Sequence, residues 1–193
     1  MIKHKGKRLF ITGIPTSGKS YLAKKLTDKI GGFAVSFDNL RENLSKNEQY
    51  NKWTNFYLDK NEYEYLTTTN PNDLWNNLVA QSEGLWSAFL QEINKYTDEE
   101  KPIIFECVNI LPHMAKRDLN FPGIVLLGNS YEEILDTNIK NPRWGKTVEL
   151  QKLEAKVFFE IERPRYKEEA RKYEYPVFKN TEEAFEAALL LLK

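Results

Sequence analysis

The stretch Gly13-Ile14-Pro15-Thr16-Ser17-Gly18-Lys19-Ser20 has the residue types and spacing of a phosphate-binding loop, G-x-x-x-x-G-K-S, the P-loop or Walker A pattern. Each type has a physical task. Gly13 and Gly18 let the backbone turn without a Cβ clash. Successive N–H groups then point inward and form a nest for anionic oxygens. A helix opening near Gly18 adds its positive end to the same spot. Lys19 has the reach to contact β- and γ-phosphates, and the Ser20 hydroxyl is placed to ligate Mg²⁺. The expected nucleotide contacts are Gly13, Pro15, Thr16, Ser17, Gly18, Lys19, Ser20 and Tyr21. The plainer alternative is a glycine turn in front of an ordinary helix.

Three further places carry groups suited to the same chemistry. Asp38 follows the apolar run from Phe33 to Phe37. A carboxylate there can orient or deprotonate an attacking hydroxyl, or hold Mg²⁺ through water. Asp38 is also a good helix N-cap. Arg41, one turn later, can clamp an anionic substrate or simply face solvent. Glu106 ends Ile103-Ile104-Phe105, the Walker B pattern of an acid at the end of a buried strand. It is a candidate for Mg²⁺ or for substrate, against a plain strand-end ion pair, and Asn109 is placed in the same crevice. Arg143 sits in the loop Asn138–Thr147 with Lys140 and Lys146. A mobile basic loop there can close over the phosphates and neutralise developing charge; a solvated turn is the bland alternative.

The elements that position these groups follow from hydrophobic patterning. Short apolar strands are expected at Arg8–Thr12, Phe33–Phe37, Ile103–Glu106, Gly123–Leu127 and Tyr175–Phe178. Helices are expected at about Gly18–Ile30, Asn72–Tyr96, Pro112–Leu119, Tyr131–Lys140 and Val148–Arg163. Pro164 should interrupt or kink the last of these before helix resumes to Tyr173, and a closing helix should run Thr181–Leu192 with Thr181 or Asn180 as cap. Between strands two and three, residues 41–101 should be helical, with a turn near Thr67–Pro71 and an aromatic cluster of Tyr50, Trp53, Phe56 and Tyr57. Strands alternating with helices give an α/β domain with a mainly parallel sheet. Ligands of such sheets bind beyond the carboxyl ends of the strands. That rule brings the glycine loop, Asp38 and Glu106 to one rim.

Composition bounds the function. With 193 residues and 41% hydrophobic content, a single domain is expected over 1–193. Lys+Arg and Asp+Glu are both 28, so no overall basic footprint for nucleic acid exists. Cys107, the single cysteine, excludes an intramolecular disulfide and reads as an inert core thiol. His4 and His113 lack metal-ligand spacing. The charged start Met1–Arg8 precedes no apolar run of signal-peptide length, and no stretch is long enough to span a membrane. A cytoplasmic protein is expected. Arg163, Arg165 and Arg171 read as surface residues. Trp86 reads as core, and Gln81 and Ser82 interrupt its apolar stripe.

With these residues placed, the chain resembles the P-loop kinases that act on small molecules and nucleotides. The motif Gly13–Ser20, the segment Asp38-Asn39-Leu40-Arg41 and the basic loop at Arg143 follow that order. Within the group, Ile104-Phe105-Glu106-Cys107-Val108-Asn109-Ile110-Leu111-Pro112 is similar to the strand-three segment of 2-phosphoglycerate-kinase-like proteins, with Cys107 where glycine is usual. The helix around Gln81-Ser82 is similar too. The resemblance implies a P-loop NTPase fold with a five-stranded sheet of order 2-3-1-4-5, helices on both faces and a helical insertion between strands 2 and 3. It implies ATP and Mg²⁺, a small-molecule hydroxyl or phosphate acceptor under the segment 41–101, and a lid over about 138–147. The expected roles are Lys19, Asp38 and Arg143 in catalysis, Ser20 and Glu106 at the metal, and Asp38, Arg41, Glu106 and Asn109 at the acceptor. Two rivals stand beside this reading: a nucleotide or polynucleotide 5′-hydroxyl kinase, and an ATP-binding switch with no acceptor. An Asn-Lys-x-Asp guanine-reading motif is absent, which weakens a GTPase version of the switch.

Overall fold

The computed structural model describes residues 4–193, so the first three residues of the charged start lie outside the described residues. The chain runs β1 (Arg8–Gly13), α1 (Lys19–Ile30), β2 (Phe33–Ser36), α2 (Phe37–Leu44), α3 (Asn51–Thr54), α4 (Glu62–Thr68), α5 (Pro71–Lys95), β3 (Ile103–Glu106), α6 (Pro112–Asp118) and β4 (Gly123–Leu126). It continues with α7 (Tyr131–Lys140), α8 (Val148–Lys156), a π turn (Val157–Glu162), α9 (Arg163–Lys172), β5 (Val177–Phe178) and α10 (Thr181–Leu191).

The five strands form one parallel sheet in the order β2-β3-β1-β4-β5. β1 is central and buried along its whole length. Its neighbours are set in register by Ile11 opposite Glu106 on one side and Ile11 opposite Ile124 on the other. Side chains of a strand alternate between the two faces, and here each face has its own core. Leu9, Ile11, Ile104, Ile124 and Leu126 pack against Leu22 and Leu26 of α1 and Ala184 and Ala188 of α10. Phe10, Phe105 and Val125 pack against α5, α6 and α9 through residues such as Phe89, Met114 and Tyr166. Each fully buried Leu, Ile or Phe contributes about 1.5–3 kcal/mol. Both faces are therefore tightly specified, and β1 cannot slip by one residue without exchanging them.

Local chemistry ends and starts the helices. Gly31, at φ 74°, closes α1 and donates its N–H to the Thr27 carbonyl. Asn70 caps α5, its side chain accepting from the N–H groups of Asn72 and Asp73, with Pro71 in the first turn. Asn180, not Thr181, caps α10. The turn expected near Thr67–Pro71 is shorter, because α4 continues to Thr68. β2 stops at Ser36 and Phe37 opens α2, so Asp38 lies in the first helical turn and Ser36 holds the cap position. An acid in that turn is favoured by the helix dipole.

Pro164 does not break the helix before it. The proline lacks an N–H, and its ring crowds the carbonyl four residues back. The chain widens into the π turn instead, and the Arg163 N–H reaches back to the Phe158 carbonyl. This turn delivers Val157, Phe158 and Glu162 to the wall of a cavity. π turns inside helices recur at functional sites.

Candidate active site

The phosphate loop is shaped by backbone. Gly13 has φ 126°, and a Cβ there would overlap the carbonyl of Leu126 on β4. Gly18, at φ 92°, occupies the cap position of α1 with no side-chain capping bond. The first-turn N–H groups of α1 are thus unclaimed by a cap and form a ready anion site. Thr16 also has a left-handed backbone, φ 58°, and the Ser17 hydroxyl donates to the Ile14 carbonyl at 2.8 Å. Lys19 is buried and its Nζ donates to the Ile14 carbonyl at 2.6 Å. Burial pulls its pKa down to about 8; Glu106 opposes that shift and Arg143 adds to it. A negative ligand at the loop would restore the ammonium form. Tyr21 is 59% exposed.

Behind the loop, the Ser20 hydroxyl donates to Glu106 Oε1 at 3.2 Å. Glu106 is buried at the end of β3, and its Oε2 has no hydrogen-bond partner. A hydroxyl and a buried carboxylate with a spare oxygen fit a hard divalent cation that keeps waters and phosphate oxygens as its other ligands. Among the described residues no group of three or more His, Cys, Asp or Glu could hold a metal unaided.

Asp38 and Arg41 stand on the next turn of the rim. Arg41 Nη1 donates to Asp38 Oδ1 at 3.2 Å and to Asn109 Oδ1 at 3.3 Å. Arg143 Nη2 lies 3.9 Å from Asp38 Oδ2. One carboxylate thus faces two guanidinium groups. Asn109 is fully buried and directs its amide to Gln81 at 3.2 Å and Ser82 at 2.8 Å. Gln81 in turn donates to the Trp53 carbonyl at 2.9 Å. This chain of bonds ties the end of β3 to α5 and α3 and fixes Arg41. Asn109 stands behind Arg41 and does not line the cavity. The Cys107 thiol, also fully buried, is pushed up chiefly by burial and stays protonated. Trp86 is buried and donates to Asp118 at 2.6 Å.

Beside the loop opens a cavity of about 620 Å³. Pro15, Asp38 and Arg41 form its phosphate end. Tyr57, Tyr65 and Trp144 form an aromatic side, with ring centroids 5.6 to 5.8 Å apart in each pairing. Trp144 and Arg143 belong to the basic loop, so the loop rests on the insertion between β2 and β3. Gln151 Nε2 donates to the Gly145 carbonyl and pins the loop to α8.

Three carboxylates line the cavity that sequence reasoning missed: Glu42, Glu154 and Glu162. Glu162 is raised to about 7, mainly by burial, despite the opposing charges of Arg143 and Lys19. Its Oε2 is buried without a partner. Glu62 lies behind Glu154, and burial together with that neighbouring carboxyl raises it as well. The one local signal for Glu162 was Pro164, which the sequence offers as a break and the structure uses to set the π turn.

No family model matches the chain, and no curated protein matches it. Solved structures do. TT1252 from Thermus thermophilus is 19% identical, with 99% of this chain and 100% of that one covered and a TM-score of 0.53. Shikimate kinase from Acinetobacter baumannii, in complex with shikimate, is 13% identical over 98% of this chain and 94% of its own, with a TM-score of 0.53. Deoxyadenosine kinase from M. mycoides, with bound dATP, is 15% identical over 96% and 98%, with a TM-score of 0.51. Sheet order, glycine loop and these neighbours together give the chain the α/β fold of the P-loop kinases.

Proposed function

We propose that the protein is an ATP-dependent phosphotransferase that moves the γ-phosphoryl group to a small-molecule acceptor. The observation that carries this reading is the cavity of about 620 Å³ that opens at the phosphate loop and places Asp38 and two arginines at the junction. A nucleotide switch has no need of a second cavity there. Kinase names among the structural neighbours support the same direction. The finer likeness to 2-phosphoglycerate-kinase-like proteins rests on the segment Ile104–Pro112 and the helix around Gln81-Ser82.

In this reading the amides of Gly13–Tyr21 and Lys19 hold the triphosphate. Ser20 and Glu106 would hold Mg²⁺, which supplies charge neutralisation between phosphate oxygens. Asp38 orients or deprotonates the acceptor hydroxyl, and the bond from Arg41 aims that carboxylate. The unpartnered Arg41 Nε, also buried, remains as a donor near the acceptor. Arg143 offsets negative charge as the phosphoryl group passes, and Trp144 helps exclude water. Positioning and charge stabilisation supply most of the catalysis in this reaction class.

The test is ATP consumption with Mg²⁺ against hydroxy acids and their phosphates, nucleosides, nucleotides, sugars, amino sugars and a 5′-hydroxyl oligonucleotide. One compound should raise turnover well above basal hydrolysis, and Lys19→Ala and Asp38→Asn should both abolish the stimulation. Stimulation that survives in Lys19→Ala would overturn the reading.

A further inference from the structure

Carboxyl groups outnumber guanidinium groups along the cavity wall, which suits a cationic acceptor better than an anionic one. Four carboxylates line it, Asp38, Glu42, Glu154 and Glu162, against two guanidinium groups, Arg41 and Arg143. Both guanidinium groups stand beside Asp38, at 3.2 and 3.9 Å. Among the described residues no lysine or arginine pairs with Glu42, Glu154 or Glu162. Glu154 accepts from the amide of Asn138 on its Oε2, at 2.8 Å, and its other neighbour is the carboxyl of Glu62, with no cation beside it among the described residues. Glu162 has a buried oxygen with no partner at all. A buried carboxylate of that kind is costly unless something compensates it. Arg143 and Lys19 offset the charge only from a distance, and no group of the protein bonds that oxygen, which leaves room for a donor from a ligand.

The other wall agrees. Tyr57, Tyr65 and Trp144 meet one another at 5.6 to 5.8 Å and line the same cavity. Aromatic faces beside carboxylates attract ammonium groups through the ring quadrupole. Carboxylates and aromatic rings here come from separate elements, the π turn and α8 on one side and the insertion and basic loop on the other.

We propose that the phosphoryl acceptor is a cationic alcohol, a hydroxyl compound bearing one or more ammonium groups, with its hydroxyl at Asp38 and its ammonium at Glu162 and Glu154. This rests on the phosphotransferase reading and narrows it. The raised protonation range of Glu162 is what an uncompensated carboxylate shows, and a bound ammonium would lower it again. The two arginines at Asp38 then belong to the transferring phosphoryl group, not to an acidic acceptor.

The experiment uses matched compounds: glucosamine, 2-deoxystreptamine and kanamycin against glucose, myo-inositol and 3-phosphoglycerate. Binding of a non-hydrolysable ATP analogue is measured first by calorimetry, which scores the phosphotransferase reading separately. The amines should then stimulate Mg²⁺-ATP turnover above their neutral partners. Glu162→Gln should raise the KM of the amine about tenfold or more with kcat nearly unchanged, since a charge-assisted hydrogen bond is lost; Glu154→Gln should act in the same direction. Preference for the neutral or anionic compounds, or an unchanged amine KM in Glu162→Gln, would overturn the cationic assignment while leaving a kinase. If no compound is turned over, the amines are titrated calorimetrically into the wild type and Glu162→Gln. Binding weakened by the substitution upholds the assignment, and no binding of any amine overturns it.

Discussion

The two ends of the cleft are built in opposite ways. At the phosphate end, consecutive residues of one loop do most of the work, through backbone geometry that Gly13 and Gly18 make possible. At the acceptor end, side chains from α2, the insertion, the basic loop and the π turn converge from sequence positions 38 to 162. The first end is rigid and chemically generic, since every nucleoside triphosphate presents the same phosphates. The second holds uncompensated charge, and its specificity depends on how four segments pack. Both ends keep polar groups without a partner, Glu106 Oε2 at the generic end and Glu162 Oε2 at the specific end.

Four measurements would break or sharpen this contrast. Gly13→Ala should have the largest effect. Its methyl would overlap the Leu126 carbonyl at a φ that L-residues rarely adopt, so a loss of roughly 4 kcal/mol or more is expected, read by denaturant unfolding. Glu162→Gln should do the reverse. The folded carboxyl is raised to about 7 from an ordinary 4.5. The folded state therefore holds its proton more tightly than the unfolded state, and stability falls as pH rises through that window. The destabilisation is complete above it and absent below pH 4.5. At pH 8 the glutamine variant should gain up to roughly 3 kcal/mol, and the gain should vanish in acid; thermal unfolding at several pH values would show it. An unchanged stability at pH 8 would mean that Glu162 is already compensated.

Gly84→Ala tests the acceptor end without touching a charge. A Cβ there would overlap the ring of Trp53 on α3, at a cost of about 1–3 kcal/mol. Thr54 and Asn55 of the cavity wall should shift with it, so the acceptor KM should rise while affinity for an ATP analogue holds. Equal loss of both would show that the two ends are coupled. The smallest effect is a proton balance. With its pKa at about 8, Lys19 is partly neutral at mildly alkaline pH. Bound phosphates favour the ammonium, so nucleotide binding near pH 8.5 should take up a fraction of a proton. Calorimetry in two buffers of different ionisation enthalpy would measure it, with no uptake expected in mildly acidic buffer or in Lys19→Ala.

Legibility followed the same division. The order of strands and helices, the loop Gly13–Ser20 and the rim that gathers Asp38 and Glu106 could be read from periodicity and spacing, because each depends on neighbours a few residues apart. Glu106 also shows where such reading stops. Its position at the end of β3 is visible as a pattern, whereas its bond to Ser20 spans 86 residues. Asn109 was read as facing the crevice, but its amide points back to α5, a fact fixed by Gln81 and Ser82 rather than by its own surroundings in sequence.

By itself the sequence determined a parallel α/β sheet with an anion-binding loop and two acids at its carboxyl edge. Strand alternation and helix starts are local properties that residue types impose directly. Only the tertiary structure decided which side chains face one another across the acceptor cavity. Trp144 meets Tyr57 and Tyr65 there, and Glu162 Oε2 is left without a bonded partner, because helices α4, α5 and α8 bring distant segments together. Contact of that kind is set by packing, and electrostatic compensation can be judged only once every neighbour is in place.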